Sequence, residues 1–241
     1  MEPVLISTLP GRAWDTVRKN LTVLVGLQVV FYMAFFLMSI LMEAVKGSMP
    51  MVFYIVSLLN YAAQIIFGVG MIRIALKITE GEEPKLGDIL PTFSQAIRYL
   101  IANLFVLVAA LLVMFILFSL FNMSNPGFYA NDLNRYLFWI FAGVPLLVLS
   151  LRFQFSTYFI VQTESPAIAA LLKSYIITKG YLGKLVLLIL LIIAINILGL
   201  LALGVGMLIS IPVSILMITY MYRDLKAHGI WRDEPGVGDS V

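Results

Sequence analysis

Between Leu185 and Tyr222 the chain runs for 38 residues without one charged side chain. As a single helix this stretch would measure about 57 Å at 1.5 Å per residue, nearly twice the roughly 30 Å of hydrocarbon in a bilayer. It reads as two membrane passes. The break falls at Gly204-Val205-Gly206, where glycine supplies the backbone freedom of a tight turn, leaving 19 residues (185–203) before it and 16 (207–222) after. Upstream, Leu21 to Met42, Met51 to Ile72 and Tyr99 to Phe121 are uncharged for 22, 22 and 23 residues, each enough for one crossing. Tyr136 to Leu151 adds 16 residues before Arg152 interrupts, and Phe153 to Thr163 continues uncharged. With 61% hydrophobic and 12% charged residues, against about 45–50% and 25% in soluble domains, a water-soluble globule is excluded.

Six passes put both termini on one side of the membrane, so the positive charges can be counted by side. Arg12, Arg18, Lys19, Arg73, Lys77, Lys85, Arg98, Arg152, Lys173, Lys179, Lys184, Arg223, Lys226 and Arg232 fall on the side of the termini. Lys46 and Arg135 fall opposite, a ratio of fourteen to two. The expected fold is therefore an all-α integral membrane protein of six transmembrane helices, N-in and C-in. Residues 1–20 form a cytoplasmic amphipathic lead-in, 21–226 the six-helix domain and 227–241 a disordered cytoplasmic tail. The first apolar run starts too late and is too long for a cleaved secretory signal, so the first helix is expected to stay. The net charge of +3 is too small to imply nucleic acid.

Residues 8–20, 85–98 and 165–184 each mix basic and apolar residues ahead of a pass, as helices in the headgroup layer do. Placing Arg18-Lys19-Asn20 over Ile101-Ala102-Asn103 and Thr178-Lys179-Gly180 aligns three units, roughly 8–80, 85–163 and 165–226. Internal duplication and chance alignment of lipid-facing sequence both explain so few identities. Three such lead-ins would make a basic collar that attracts anionic headgroups, at about 1 kcal/mol per basic residue near the surface; the alternative is that these charges only fix topology.

The order Ser165-Pro166, Ala169-Ala170-Leu171-Leu172-Lys173-Ser174, Lys179-Gly180, a long apolar run, Leu203-Gly204-Val205-Gly206, Pro212 and Tyr222-Arg223-Asp224-Leu225 resembles the membrane domain attached to some glycerophosphoryl diester phosphodiesterases. It is equally similar to the stand-alone six-helix prokaryotic membrane proteins of unknown function, including the YciC-type family. Ala13-Trp14, Lys19-Asn20, Gly81-Glu82, Pro84 and Gly87-Asp88 extend the likeness upstream. The resemblance implies a fold and no catalytic residue, because the soluble phosphodiesterase domain is missing. On their own chemistry, Pro166 suits the first turn of a lead-in helix, and Gly180 can end that helix in a left-handed conformation.

The inventory for catalysis is thin. There is no cysteine for a nucleophile or thiolate metal site, and the one histidine, His228, follows the last pass. Glu80, Glu82, Glu83 and Asp88 could be drawn as a metal site, but their setting between Gly81, Pro84, Lys77 and Lys85 reads as a solvated turn. No cofactor and no metal are expected. Lipid-headgroup candidates are Arg18, Lys19, Arg98, Arg152, Lys173, Lys179 and Lys184. Arg152 stands about 25 Å from the outer end of an uninterrupted fourth helix, where it can snorkel to headgroups, line an inward-facing cavity or make an internal pair. Gln28, Asn60, Gln64, Asn103 and Asn196 lie within passes, where amides bind helix to helix or line a polar track. Pro145 and Pro212 predict kinks in the fourth and sixth passes.

The function these features favour is non-enzymatic: a membrane-embedded accessory, assembly or lipid-interacting module. Its partners would be anionic membrane lipids, and a membrane protein or a second copy of the chain. A small transporter or channel for a lipid or amphipathic solute is the alternative, and a lipid-modifying enzyme using the acidic loop is a distant third.

Overall fold

The computed structural model describes residues 5–124, 132–202 and 204–228. Helix accounts for 88% of the structure, and no strand occurs among the described residues. After a short 3-10 turn, Ile6–Thr8, come α1 (Leu9–Lys19), α2 (Leu21–Val45), α3 (Pro50–Glu80), a second 3-10 turn (Leu86–Ile89) and α4 (Phe93–Ser124). They are followed by α5 (Asp132–Phe153), α6 (Ser156–Thr163), α7 (Ala167–Thr178), α8 (Leu182–Leu201) and α9 (Met207–His228). Six segments are long and apolar enough to cross a membrane: Leu21–Val45, Pro50–Glu80, Gly87–Phe121, Tyr136–Thr163, Leu182–Leu201 and Met207–His228. The 38-residue run divides where expected, at Gly204 with φ 76°, and Gly180 with φ 85° separates α7 from α8. Both φ values lie in the left-handed region that glycine enters without steric cost.

The chain forms two compact units, Met1–Ala96 with Leu187–Val241, and Ile97–Val186. In the first, α1 packs along α9, and α3 packs on α2, on α9 and on the second 3-10 turn. Leu9, Ala13 and Val17 are fully buried, and their four-residue spacing makes one stripe on α1. Burying Leu9 and Val17 is worth about 1.5–3 kcal/mol each relative to water, and the Ala13 methyl about 0.8 kcal/mol. The polar edge of the same helix is tied down as well. Arg12 donates to Asp224 at 2.9 Å and lies 4.3 Å from the centre of the Tyr220 ring, while the Thr16 and Tyr220 hydroxyls are 2.7 Å apart. The apolar stripe expected to lie in the headgroup layer is thus spent on α9, although Trp14 stays 45% exposed.

The second expected lead-in, residues 85–98, is not a helix of its own. Its first part is the 3-10 turn, clasped to α3 where Lys77 Nζ donates to Asp88 at 2.8 Å and Arg73 donates to the Leu90 carbonyl at 2.8 Å. Gly70 on α3 admits this turn, since a Cβ there would collide with the Ile89 backbone. The rest, from Phe93, is the first turn of α4. Thr92 and Gln95 cap that turn reciprocally: the Thr92 N–H donates to Gln95 Oε1 at 3.3 Å, and the Gln95 N–H to Thr92 Oγ1 at 3.4 Å.

At the turn that joins α8 to α9, a Cβ at Gly206 would stand 2.6 Å from the Gly199 carbonyl oxygen of α8, so glycine is what lets the turn close this tightly. Pro212 lies inside α9, which continues through it.

In the second unit α7 packs on α5 and α6. The fourth segment, which on sequence could run uninterrupted from Arg135 to Thr163, is divided between Phe153 and Ser156 into α5 and α6. Ser174 of α7 makes the break: its hydroxyl accepts the Phe155 N–H at 3.2 Å and donates to the Arg152 carbonyl at 2.7 Å, replacing helical partners at that point. Pro145 lies inside α5, which runs on through it. Pro166 stands one residue before α7, and its carbonyl accepts the Ala170 N–H at 2.9 Å. Met114, Leu117 and Phe121 of α4 pack against buried Phe138 and Ala142 of α5. Ala227 and His228 of the expected tail continue α9, and residues 122–124 and 132–135 of the expected connection belong to α4 and α5; residues 125–131 and 229–241 lie outside the described residues.

The aligned units share a short–long–long order at α1–α3 and α7–α9, with Asn20 and Gly180 at equivalent breaks. Asn103, aligned with them, lies inside α4 without a break.

Candidate functional site

Basic residues of the second unit make tertiary contacts at two places. Arg98 donates to the Glu164 carbonyl, and Lys173 Nζ donates to Ser165 Oγ at 2.9 Å. The Thr163 and Ser165 hydroxyls are 2.7 Å apart. Both cations therefore fasten the connection between α6 and α7. Glu164 adopts φ 51° there, a left-handed conformation that costs a non-glycine residue about 1–2 kcal/mol.

Arg152 marks the second place. It occupies the last turn of α5, where a cation complements the helix dipole. Its guanidinium lies 5.0 Å from the centre of the Tyr175 ring and donates to Thr178 Oγ1 at 3.4 Å. Among the described residues no carboxylate lies within 4.0 Å of it. Lys179, exposed, follows Thr178 directly, and Lys184 sits 5.5 Å over the Tyr181 ring. Of the three roles open to Arg152 on sequence, the structure displays an internal pairing with Tyr175 and Thr178, in a side chain still partly exposed.

Tyr175, whose ring Arg152 contacts, also lines an apolar groove of about 310 Å³. Phe105, Val106 and Ala109 of α4 form one wall, Ile168, Leu172 and Tyr175 of α7 the other, with Phe153 and Leu171 completing it. In the first unit, Arg18 and Lys19 are exposed and share a shallow depression with Asp15.

The amides of the long apolar helices do not act alike. Asn196 is fully engaged: it donates to the Ile192 carbonyl and to Ser214 Oγ, each at 2.8 Å, and accepts from Ser210 Oγ at 2.9 Å. It is helix-to-helix glue between α8 and α9. Asn60 donates to the Met42 sulfur at 3.7 Å, joining α3 to α2. Asn103 donates only within its own helix, to the Tyr99 carbonyl at 2.9 Å. Gln64 is exposed on α3. Gln28 is 1% exposed, with neither amide atom hydrogen-bonded.

Asp88, considered for metal binding, accepts from Lys77 and from the Lys85 N–H at 2.8 Å. Among the described residues no group of three or more His, Asp or Glu side chains converges. His228 Nδ1 lies 2.6 Å from the Asp224 carbonyl.

Sequence reading misses Tyr175, Ser174, Thr178 and Glu164. No local pattern marks them, because their roles come from contacts 19 to 66 residues away. Compared with family models, with curated proteins and with solved structures, the chain matches none.

Proposed function

We propose that this chain is a non-enzymatic multi-pass protein of a prokaryotic cytoplasmic membrane, with both termini in the cytoplasm, working as a lipid-interacting accessory or assembly module. The observation that carries the reading is the pairing of uncovered apolar helix surface with cations on one side of the passes. Leu104, Leu111, Phe115 and Ile116 of α4, for example, are 58%, 59%, 68% and 55% exposed, a surface that water would penalise and acyl chains accept. Fourteen of sixteen Lys and Arg flank the passes on the side of the termini, where anionic headgroups attract them. The likeness to six-helix prokaryotic membrane proteins of the YciC type agrees with this reading. So does the thin catalytic inventory, without cysteine and with one histidine.

A transport role needs the intramembrane amides to share one track. Asn60, Asn103 and Asn196 instead spend their donors on local or neighbouring-helix partners, so the module reading is preferred.

Reporter fusions test the orientation. Fusions at residue 46 and near residue 130 should report an external location, and fusions near 85, 175 and 235 a cytoplasmic one; the reverse pattern refutes it. For the lipid reading, the reconstituted protein should prefer anionic over zwitterionic lipid, less so as salt rises. Equal affinity at low salt would dismiss it.

A further inference from the structure

We propose that the groove between α4 and α7 holds one acyl chain of an anionic glycerophospholipid, with Arg152 at its rim holding the phosphate. This rests on the lipid-interacting reading above and gives it a place and a ligand.

Helix α7 is apolar on two sides. One stripe, including Ala167, Ala170, Leu171 and Ile177, is buried, as its packing on α5 and α6 requires. The adjoining stripe, Ile168, Leu172 and Tyr175, recurs at four- and three-residue spacing and is 59%, 57% and 45% exposed. It faces Phe105, Val106 and Ala109 across the groove. These walls are apolar throughout, so the occupant is apolar where it touches them.

The groove, about 310 Å³ and open along one side, admits a segment of an alkyl chain laid along its walls.

Charge decides which lipid. Tyr175 is shared: its ring lines the groove and also carries the Arg152 guanidinium 5.0 Å from its centre. Phe153, next in sequence to Arg152, lines the groove too. The cation thus stands at the groove's edge, held in place by an aromatic face and the Thr178 hydroxyl. It has no carboxylate within 4.0 Å among the described residues, and exposed Lys179 adjoins Thr178. An arginine fork matches phosphate oxygens in geometry as well as charge. A phosphate bearing its own acyl chain satisfies rim and groove together.

The test uses the full chain in detergent, titrated with phosphatidylglycerol or phosphatidylcholine of identical acyl chains, with bound lipid counted by native mass spectrometry. The wild type should retain phosphatidylglycerol about fivefold more than phosphatidylcholine, the factor one cation near a headgroup supplies. Arg152→Gln should bring the ratio close to one while chain binding persists. Leu172→Trp, which fills the groove from an exposed position, should lower retention of both lipids, with an unchanged helical signal showing that the protein remains folded. A wild-type preference that survives both substitutions, or follows Arg18→Gln with Lys19→Gln instead, overturns the groove and leaves the general lipid reading standing. No preference in the wild type overturns both. Competition by sn-glycerol 3-phosphate at equal concentration overturns the acyl-chain site, because the headgroup would then bind alone.

Discussion

The most apolar and the least apolar of the six spans occupy opposite environments. None of the most apolar window of Gly87–Phe121, the span that contains most of α4, is buried within the protein, whereas 56% of the window of Met207–His228, which is α9, is buried. In a water-soluble domain the ranking would be reversed, since burial there follows hydrophobicity. A bilayer removes that rule: lipid tails are as apolar as leucine, and helices associate through close packing and polar contacts. The residues α9 buries include Ser210, Ser214, Thr219 and Tyr222, whereas α4 presents Leu104, Leu111 and Phe115 outward. Polarity, small size and shape, more than greasiness, mark the helix at the centre of the first unit.

Truncating matched aromatic side chains breaks this comparison most directly. Tyr222→Ala, at a fully buried position, should destabilise the protein by about 3–5 kcal/mol. Phe115→Ala, at a position 68% exposed, should cost under about 1 kcal/mol. Thermal unfolding in one detergent measures both, and equal losses would erase the distinction. Next in size, Asn196→Leu removes the three hydrogen bonds made by the Asn196 amide, one within α8 and two to α9. The expected loss is about 0.6–2 kcal/mol; a gain in stability would mean that apolar contact binds these helices better than polar contact does.

A double-mutant cycle on Arg12→Ala and Asp224→Ala addresses the clasp between α1 and α9. Its side chains are 42% and 21% exposed, so the coupling should be about 0.5–1 kcal/mol and fall with salt. Coupling that ignores salt would assign the clasp to packing alone. Smallest of all, Asn103→Leu on α4 should alter stability by less than about 0.5 kcal/mol, because its amide serves only its own helix. A large change would reveal a role for Asn103 that its own-helix bond does not show.

Much of this fold is legible in the sequence because bilayer thickness imposes a length on each uncharged run. The glycine break at Gly204 is equally legible, since few residues enter its backbone conformation at no cost. Thr92-Phe93-Ser94-Gln95 carries a capping-box signature that places the start of α4 ahead of the charge-free run, and reading by charge alone passes over it. The break after Phe153 has no local signal. It depends on Ser174, 19 residues away, taking the Phe155 N–H. The same limit applies to the site. Arg152 stands out as a charge within apolar sequence, but Tyr175, which joins it to the groove, looks like any interfacial aromatic until α7 is folded against α5. Likewise, the amphipathic pattern of α1 gives its apolar face without saying whether lipid or α9 covers it.

The central claim is that the exposed apolar face of α4 meets lipid while the buried face of α9 meets protein. The chain contains no cysteine, so a single Phe115→Cys or Met217→Cys substitution carries one spin label without background. Collision with oxygen, which concentrates in hydrocarbon, and with a water-soluble nickel complex should be measured for each label in lipid nanodiscs. The account predicts high oxygen and low nickel access at Phe115, and low access to both at Met217. Nickel access exceeding oxygen access at Phe115 would place that face in water and contradict it.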